Sequence, residues 1–260
     1  MTSLAACPDR ALAALPRAYP GPGGALAVLR DGEELARHAW GWADAERRIA
    51  FTPGTLFRIC SITKQFTCAL VLDAFPDPSV LDGDVRERLP LLDGHAPGAL
   101  HLCHNQSGLR DYWAVAMLHG SPAEAPFGDA QAVRVVGGTR TLQFAPGTRY
   151  SYANQNFRIL SNTLQDRTGR SFAELLRTRI FDRASMGSAM LAADTHAMPD
   201  GTVGYRSGRP SPSGHRFPWL PALAGTRPAS AGRPAPPRPA PVPAQVLSRP
   251  RRPGQRRPGR

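Results

Sequence analysis

The residues best suited to proton chemistry lie together in the segment from Leu56 to Phe66. Lys64 is the single lysine of the chain, since the other 31 of its 32 basic residues are arginine, and Ser61 precedes it by three positions. An amine can give up its proton and then act as a base, whereas a guanidinium stays protonated in proteins. Lys64 is therefore a candidate base for the Ser61 hydroxyl.

The residues that follow Lys64 predict how it is positioned. Residues 66–74 are almost all apolar, which predicts a buried helix. If Ser61 opens that helix, Ser61 and Lys64 lie on one face, one turn apart. The positive end of the helix dipole and the loss of water both lower the pKa of a lysine there. The alternative is that Ser61 caps the helix and Lys64 is solvated.

A second group of polar residues follows a Pro-Gly turn at residues 146–147. Tyr152 and Asn154 lie just before the apolar periodicity of a predicted helix over residues 157–164. A phenol close to a serine and a lysine can relay protons in both directions, and an amide can hold a substrate carbonyl. Tyr-x-Asn alone is a weak pattern, but it is informative about ninety residues after Ser-x-x-Lys.

These segments carry a family resemblance. The chain resembles the penicillin-recognising serine hydrolases, which include class C β-lactamases, and it is most similar to the D-stereospecific aminopeptidases. The resemblance extends from about Tyr19 to about Tyr205 and rests mainly on residues 59–69, 105–113 and 150–154. It implies that Ser61 is the nucleophile, that Lys64 and Tyr152 are the acid/base pair, and that Asn154 is an amide in contact with the substrate.

The resemblance also implies a fold and a reaction. Similar enzymes are α/β (α+β) proteins that cover an antiparallel sheet with helices, and they use neither a metal nor an organic cofactor. They release an N-terminal D-residue from small peptides, amides or esters through an acyl-enzyme, with the Ser61 N–H as one expected oxyanion donor. A β-lactamase-like esterase and a D-alanyl-D-alanine carboxypeptidase are the alternatives.

The last part of the chain departs from the family. The expected His-x-Gly or Lys-Thr-Gly strand is not found after Tyr205, and His215 lacks the following glycine. Residues 201–260 contain 12 arginines, 14 prolines and no acidic residue, a composition that does not support a packed core. We interpret 1–204 as an incomplete catalytic domain and 205–260 as a disordered tail. That tail is either an out-of-frame product of a GC-rich gene or a genuine segment that binds polyanions.

Several expectations follow from this division. Without the returning strands, Phe66, Leu70 and Val71 should be partly exposed to water, so the chain should be aggregated or molten and its activity impaired. The non-enzyme hypothesis is therefore an inactive remnant or a basic polyanion-binding protein. The oligomeric state is not predicted by the sequence.

Other parts of the chain support more limited predictions. Residues 23–41 predict a hairpin with an Asp-Gly turn, and residues 171–181 predict an amphipathic helix. Arg110 and Asp111 are interpreted as an internal ion pair or a pocket rim. Cys103, with a histidine two positions before it and another directly after it, is interpreted as packed and not as a metal ligand, and Cys60 as a small buried hydrophobe.

The chain shows no signal for export or for membrane insertion. Its first ten residues lack a positively charged start followed by a long apolar run, and no segment contains eighteen consecutive apolar residues. The sequence therefore predicts a cytoplasmic protein that acts on a small peptide or amide with an N-terminal D-residue. Neither a membrane nor a specific nucleic acid is expected as a partner.

Overall fold

The predicted hairpin forms the start of the only sheet with more than two strands among the described residues. A computed structural model describes residues 6–121, 129–192, 202–206, 209–210 and 222–224. Strand β1 (Gly23–Arg30) pairs antiparallel with β2 (Glu33–Asp44), and the end of β2 pairs with β3 (Ile49–Ala50). Asp31 and Gly32 connect the strands with φ of 53° and 84°, as a two-residue hairpin turn requires.

Helices make up most of the remaining regular secondary structure among the described residues. In chain order they are α1 (Ala6–Ala18), α2 (Thr63–Ala74), α3 (Asp82–Glu87), α4 (Ala99–Cys103), α5 (Tyr112–Leu118), α6 (Asp129–Gly137), α7 (Asn154–Thr168) and α8 (Phe172–Leu175). A 3-10 turn over Cys60–Ile62 leads into α2, and a second one spans Pro78–Leu81. The predicted combination of an antiparallel sheet with covering helices is confirmed.

The helix predicted over residues 171–181 is confirmed, with a change of type along its length. Ser171 and Glu174 form a capping box at its start, in which the Ser171 Oγ accepts from the Glu174 N–H at 3.3 Å. Helix α8 then continues as a π-helical segment over Leu176–Phe181. Because this segment packs against α2, it helps to cover the helix that carries Lys64.

The core lies between α2, α4, α7 and the π-helical segment. Leu70 and Val71 are fully buried there, so the prediction that they are partly exposed is wrong. Phe66 is partly buried, and its ring packs edge-on against Phe181 with the ring centroids 6.1 Å apart. Helices from the middle of the chain therefore cover α2. Burying each of the two aliphatic side chains contributes about 1.5–3 kcal/mol.

The described residues near the predicted boundary at 204 contain further strands. Strand β4 (Met190–Ala192) pairs with β7 (Ala222–Ala224), and β5 (Tyr205–Arg206) pairs with β6 (Arg209–Pro210). The residues before β5 run beside β2, where the Val203 N–H donates to the Ala43 carbonyl at 3.0 Å. The prediction of a structureless tail did not anticipate these short strands. The rest of residues 205–260, including His215, lies outside the described residues.

Candidate active site

Ser61 occupies the turn that leads into α2. It lies in the 3-10 turn Cys60–Ile62 and is exposed to solvent. Cys60 has a positive φ of 47°, an uncommon conformation for a residue other than glycine. The N-cap of α2 is Ile62, and no side chain makes a capping hydrogen bond there. The alternative in which Ser61 caps this helix is therefore not what the structure shows.

Ser61 is hydrogen-bonded to both predicted acid/base residues. The Lys64 Nζ donates to the Ser61 Oγ at 3.0 Å, and the Ser61 Oγ lies 2.7 Å from the Tyr152 hydroxyl oxygen. Lys64 is near because it lies in the first turn of α2, three residues after Ser61. Tyr152 is near because α7, which it precedes by two residues, packs against α2. The structure thus brings the three residues together in hydrogen-bonding contact.

A buried polar network holds the loop that carries Tyr152. The Asn105 carbonyl accepts from the Ser151 N–H at 2.8 Å, and the Asn105 Oδ1 accepts from the Ala153 N–H at 3.2 Å. The same Oδ1 accepts from the Asn156 Nδ2 at 3.3 Å, and the Asn156 Oδ1 accepts from the Ser107 Oγ at 2.8 Å. Ser107 and Asn156 are fully buried, so this network fixes the backbone on both sides of Tyr152.

Asn154 lies at the start of α7 with its side chain turned to a carboxylate. It is only 4% exposed, and its Nδ2 donates to the Asp111 Oδ2 at 2.9 Å. The Asp111 Oδ1 accepts from the Trp113 N–H at 3.1 Å, so Asp111 also caps α5. Arg110 donates to the Thr141 carbonyl at 2.7 Å, and no Arg110–Asp111 ion pair occurs among the described residues.

Asp111 is the site residue that sequence reasoning did not identify. The predicted interpretations were an ion pair with Arg110 or a position at the pocket rim. Two signals pointed elsewhere: Asp111 directly precedes the largely apolar segment that forms α5, where an aspartate is a good cap, and it lies in a segment that carries the family resemblance. Its contact with Asn154, 43 residues away, is not visible in the sequence.

Burial controls the protonation of Lys64. Its side chain is 6% exposed, and the loss of water lowers its pKa from the ordinary value of 10.5 to about 8, while the negative charge of Asp111 acts in the opposite direction. The Nζ lies 4.8 Å from the ring centroid of Tyr152 and 5.4 Å from that of Phe157. Lys64 can therefore lose its proton only a little above neutral pH.

The pKa of the Tyr152 phenol shifts in the opposite direction to that of Lys64. Burial raises the pKa of Tyr152 above its usual range, and the Asp111 carboxylate raises it further, although the hydrogen bond with Ser61 lowers it. Tyr152 is therefore protonated at neutral pH and can donate a proton. The two neighbours of the Ser61 hydroxyl thus differ: an amine that can accept a proton and a phenol that can donate one.

The cysteine and histidine predictions have mixed outcomes. Cys60 is exposed, so the interpretation as a small buried hydrophobe is wrong. Cys103 is partly buried and packs against the core, and its carbonyl accepts from the Cys68 thiol at 3.8 Å. His101 accepts from the Gly98 N–H at 3.0 Å. Within the part of the chain that the structure describes, no group of three His, Cys, Asp or Glu side chains could hold a metal ion.

A cleft of about 390 Å³ opens beside the turn that carries Ser61. Its walls include backbone at Gly23 and Gly24, the aromatic side chains of Trp42 and Phe51, and Cys60, the residue directly before Ser61. A cavity of this size and mostly apolar lining suits a small organic group.

None of the helices in the described ranges is long and apolar enough to cross a membrane.

Comparison with known proteins gives a consistent match. The family described as Beta-lactamase matches residues 9–240, a range that continues past the predicted boundary at 204. A protein named D-aminopeptidase from Gluconobacter oxydans (strain 621H) is 69% identical over 197 residues, which is 76% of this chain. Proteins of the same name from Brucella anthropi and Brucella canis are 49% and 46% identical over 74% and 80% of this chain.

The lengths of these proteins differ from that of this chain. The matches cover 38%, 36% and 40% of the Gluconobacter, Brucella anthropi and Brucella canis proteins, respectively. The chain therefore spans well under half of the length of the curated relatives it matches.

Proposed function

The chain belongs to the beta-lactamase family, and from this premise we propose that it is a serine hydrolase of the D-aminopeptidase type. The observation that carries the proposal is the hydrogen-bonded set in which Ser61 contacts both Lys64 and Tyr152. The substrates that we propose are small peptides, amides or esters with an N-terminal D-residue. The names of the similar proteins support this choice over the esterase and carboxypeptidase alternatives.

The geometry supports acylation of Ser61. The neutral Lys64 amine accepts the hydroxyl proton while the Oγ attacks the carbonyl carbon and the carbonyl electron pair moves to its oxygen. When the tetrahedral intermediate collapses, the bond to the leaving amine breaks and Tyr152 gives that amine a proton. The Lys64 ammonium then returns a proton to Tyr152. The Asn154 amide and the Ser61 N–H are the proposed contacts for the substrate carbonyl.

Deacylation reverses the relay. A water molecule attacks the acyl carbon as it gives a proton to the neutral Lys64 amine. The bond between the acyl carbon and the Ser61 Oγ then breaks as the Oγ regains a proton. The free acid leaves and the enzyme returns to its first state. The chain's own residues supply each proton acceptor and donor in this cycle.

Two measurements test the proposal on the full chain. Covalent labelling with a fluorophosphonate, followed by peptide mass spectrometry, should modify Ser61 in the unaltered chain and in the control variant Ser161→Ala. It should fail in Ser61→Ala and in Lys64→Arg, which keeps the charge but removes the proton acceptor. Labelling of another residue in preference to Ser61 would reject the nucleophile assignment.

The second measurement concerns stereochemistry. The unaltered chain should hydrolyse D-alanyl p-nitroanilide faster than its L-enantiomer, and Ser61→Ala should remove this activity. Equal rates on both enantiomers, with Ser61 still labelled, would favour the esterase or carboxypeptidase alternative. Labelling of Ser61 without hydrolysis of either amide would favour the impaired form that the tail composition predicts.

We also propose that the catalytic unit occupies 1–204 and that 205–260 is an Arg/Pro-rich tail. The composition of the tail supports this boundary, since residues 201–260 contain no acidic side chain. Limited trypsin digestion should first remove the tail and leave a core that ends close to residue 204. A stable product that includes β7 would move the boundary beyond Ala224.

A further inference from the structure

One carboxylate beside the nucleophile takes no part in the proton relay described above. Asp111 is half-buried, and the loss of water is the largest influence on its pKa, which it raises. Its two oxygens accept separate hydrogen bonds, one from the Trp113 N–H at 3.1 Å and one from the Asn154 Nδ2 at 2.9 Å. Removing water from a carboxylate costs free energy unless hydrogen bonds or an opposite charge compensate for the lost hydration.

We propose that Asp111 is a positioning residue for the reaction, acting through two neighbours and not on the substrate itself. Its carboxylate holds the Asn154 amide in one orientation and presents a negative charge to the Lys64 amine. This inference rests on the proposed function for its role in catalysis, although the effect of Asp111 on the Lys64 pKa can be measured without any substrate.

Hydrogen-bond chemistry fixes the orientation of the Asn154 amide. An ionised carboxylate only accepts hydrogen bonds, so the group that Asn154 turns to Asp111 must be its Nδ2. The Asn154 Oδ1 and the second Nδ2 hydrogen are then left in a defined arrangement for the substrate. An asparagine at position 111 could keep the bond from Trp113 through its oxygen. Its own amide nitrogen would then face the Asn154 Nδ2, and two donors would force the Asn154 amide to rotate.

The Asp111 carboxylate also acts on Lys64, the proposed base. The Ser61 Oγ accepts from the Lys64 Nζ at 3.0 Å, and the ring centroids of Tyr152 and Phe157 lie 4.8 and 5.4 Å from that nitrogen. The negative charge of Asp111 raises the pKa of Lys64 against the effect of burial. Without Asp111, burial alone would lower the proton affinity of Lys64 further. A weaker base takes the Ser61 proton less effectively, so the carboxylate maintains the basicity of the amine.

The test uses the fact that Lys64 is the only lysine in the chain. Labelling the full chain with [ε-13C]lysine gives one side-chain resonance, whose pH titration reports the pKa of Lys64 directly. In Asp111→Asn this pKa should fall by at least about 0.5 pH unit, because an opposite charge has been removed. Asp111→Glu keeps the charge and should move the titration much less than Asp111→Asn does.

Asp77→Asn is the matched control. Asp77 also caps a short helix, accepting from the Ser79 N–H at 3.0 Å, as Asp111 accepts from the Trp113 N–H. A loss of helix capping therefore affects both variants, whereas only Asp111→Asn should shift the Lys64 titration. Equal titrations in the two variants would overturn the charge half of the proposal.

A double-mutant cycle tests the orientation half. Asp111→Asn and Asn154→Ala should each lower kcat/KM by about tenfold or more, and the double variant should lose little beyond either single change, because both act on one amide. Fully additive losses would overturn this half. An unaltered chain in which Ser61 cannot be acylated would reject the proposed function, while the Lys64 titration, which needs no substrate, would still decide the charge half.

Discussion

Replacing Lys64 by methionine should remove catalysis and at the same time stabilise the fold below pH 8. The lysine is buried against the rings of Tyr152 and Phe157, and its pKa is lowered to about 8 by the loss of water. A lowered pKa means that the charged amine is destabilised in the folded protein relative to the unfolded chain. Methionine has a similar length and carries no charge, so it removes this penalty.

The magnitude follows from the pKa. A decrease from 10.5 to about 8, at about 1.4 kcal/mol for each pKa unit, corresponds to about 3.5 kcal/mol at neutral pH. The variant also loses the hydrogen bond from the Lys64 Nζ to the Ser61 Oγ, which contributes about 1 kcal/mol. We therefore expect a net increase of about 2.5 kcal/mol in the free energy of unfolding at pH 6.5.

Whether Lys64→Met stabilises or destabilises the fold depends on pH. Below pH 8 the amine is charged in both states, so the folded wild type carries the full penalty. Between pH 8 and 10.5 the unfolded chain binds more protons than the folded one, so wild-type stability rises with pH. Above 10.5 the amine is neutral in both states. The penalty is then absent, and the methionine variant should be less stable by about 1 kcal/mol because it lacks the hydrogen bond.

Urea unfolding followed by tryptophan fluorescence at pH 6.5 and pH 11 measures this difference. Lys64→Arg is the control: it keeps a charge that is not neutralised in this range, so it should not stabilise the protein at either pH. Destabilisation of the methionine variant by the same amount at both pH values would contradict the predicted burial penalty of Lys64. That result would mean that Lys64 is solvated in the folded protein and carries no burial penalty.

Three further predictions test other contacts. The rate of Ser61 modification by a fluorophosphonate should rise about tenfold per pH unit and level off near pH 8, because Lys64 must be neutral; a flat profile would contradict this. Tyr152→Phe should slow acylation by about a hundredfold, whereas the matched change at the exposed Tyr150 should have no effect in the same assay. Gly108→Ala should lower Tm, because Gly108 has a φ of +76° and a Cβ there would lie 2.3 Å from a carbonyl oxygen. Gly83→Ala is the control and should not lower Tm, because a Cβ at position 83 would meet nothing within 4 Å.

The sequence alone determined the features that depend on local spacing. Ser61 and Lys64 are three residues apart, so any helix through them brings the amine close to the hydroxyl, and the structure shows this contact at 3.0 Å. The Asp31-Gly32 turn likewise follows from residues that adopt positive φ, and the hairpin forms as predicted. Because every other basic residue is arginine, composition by itself distinguishes Lys64 as the one side chain amine that can act as a base.

Tertiary structure decided the features that depend on packing between distant segments. Leu70 and Val71 are buried because α7 and the π-helical segment cover α2, an arrangement that periodicity within α2 cannot show. The contact between Asp111 and Asn154 exists because α5 and α7 meet, 43 residues apart. Side-chain spacing along a helix is set by backbone geometry, whereas the partner of a carboxylate is set by which helices pack together. The candidate acid/base residues could therefore be identified from the sequence, while the contact that the Asp111 carboxylate makes with Asn154 became visible only in the fold.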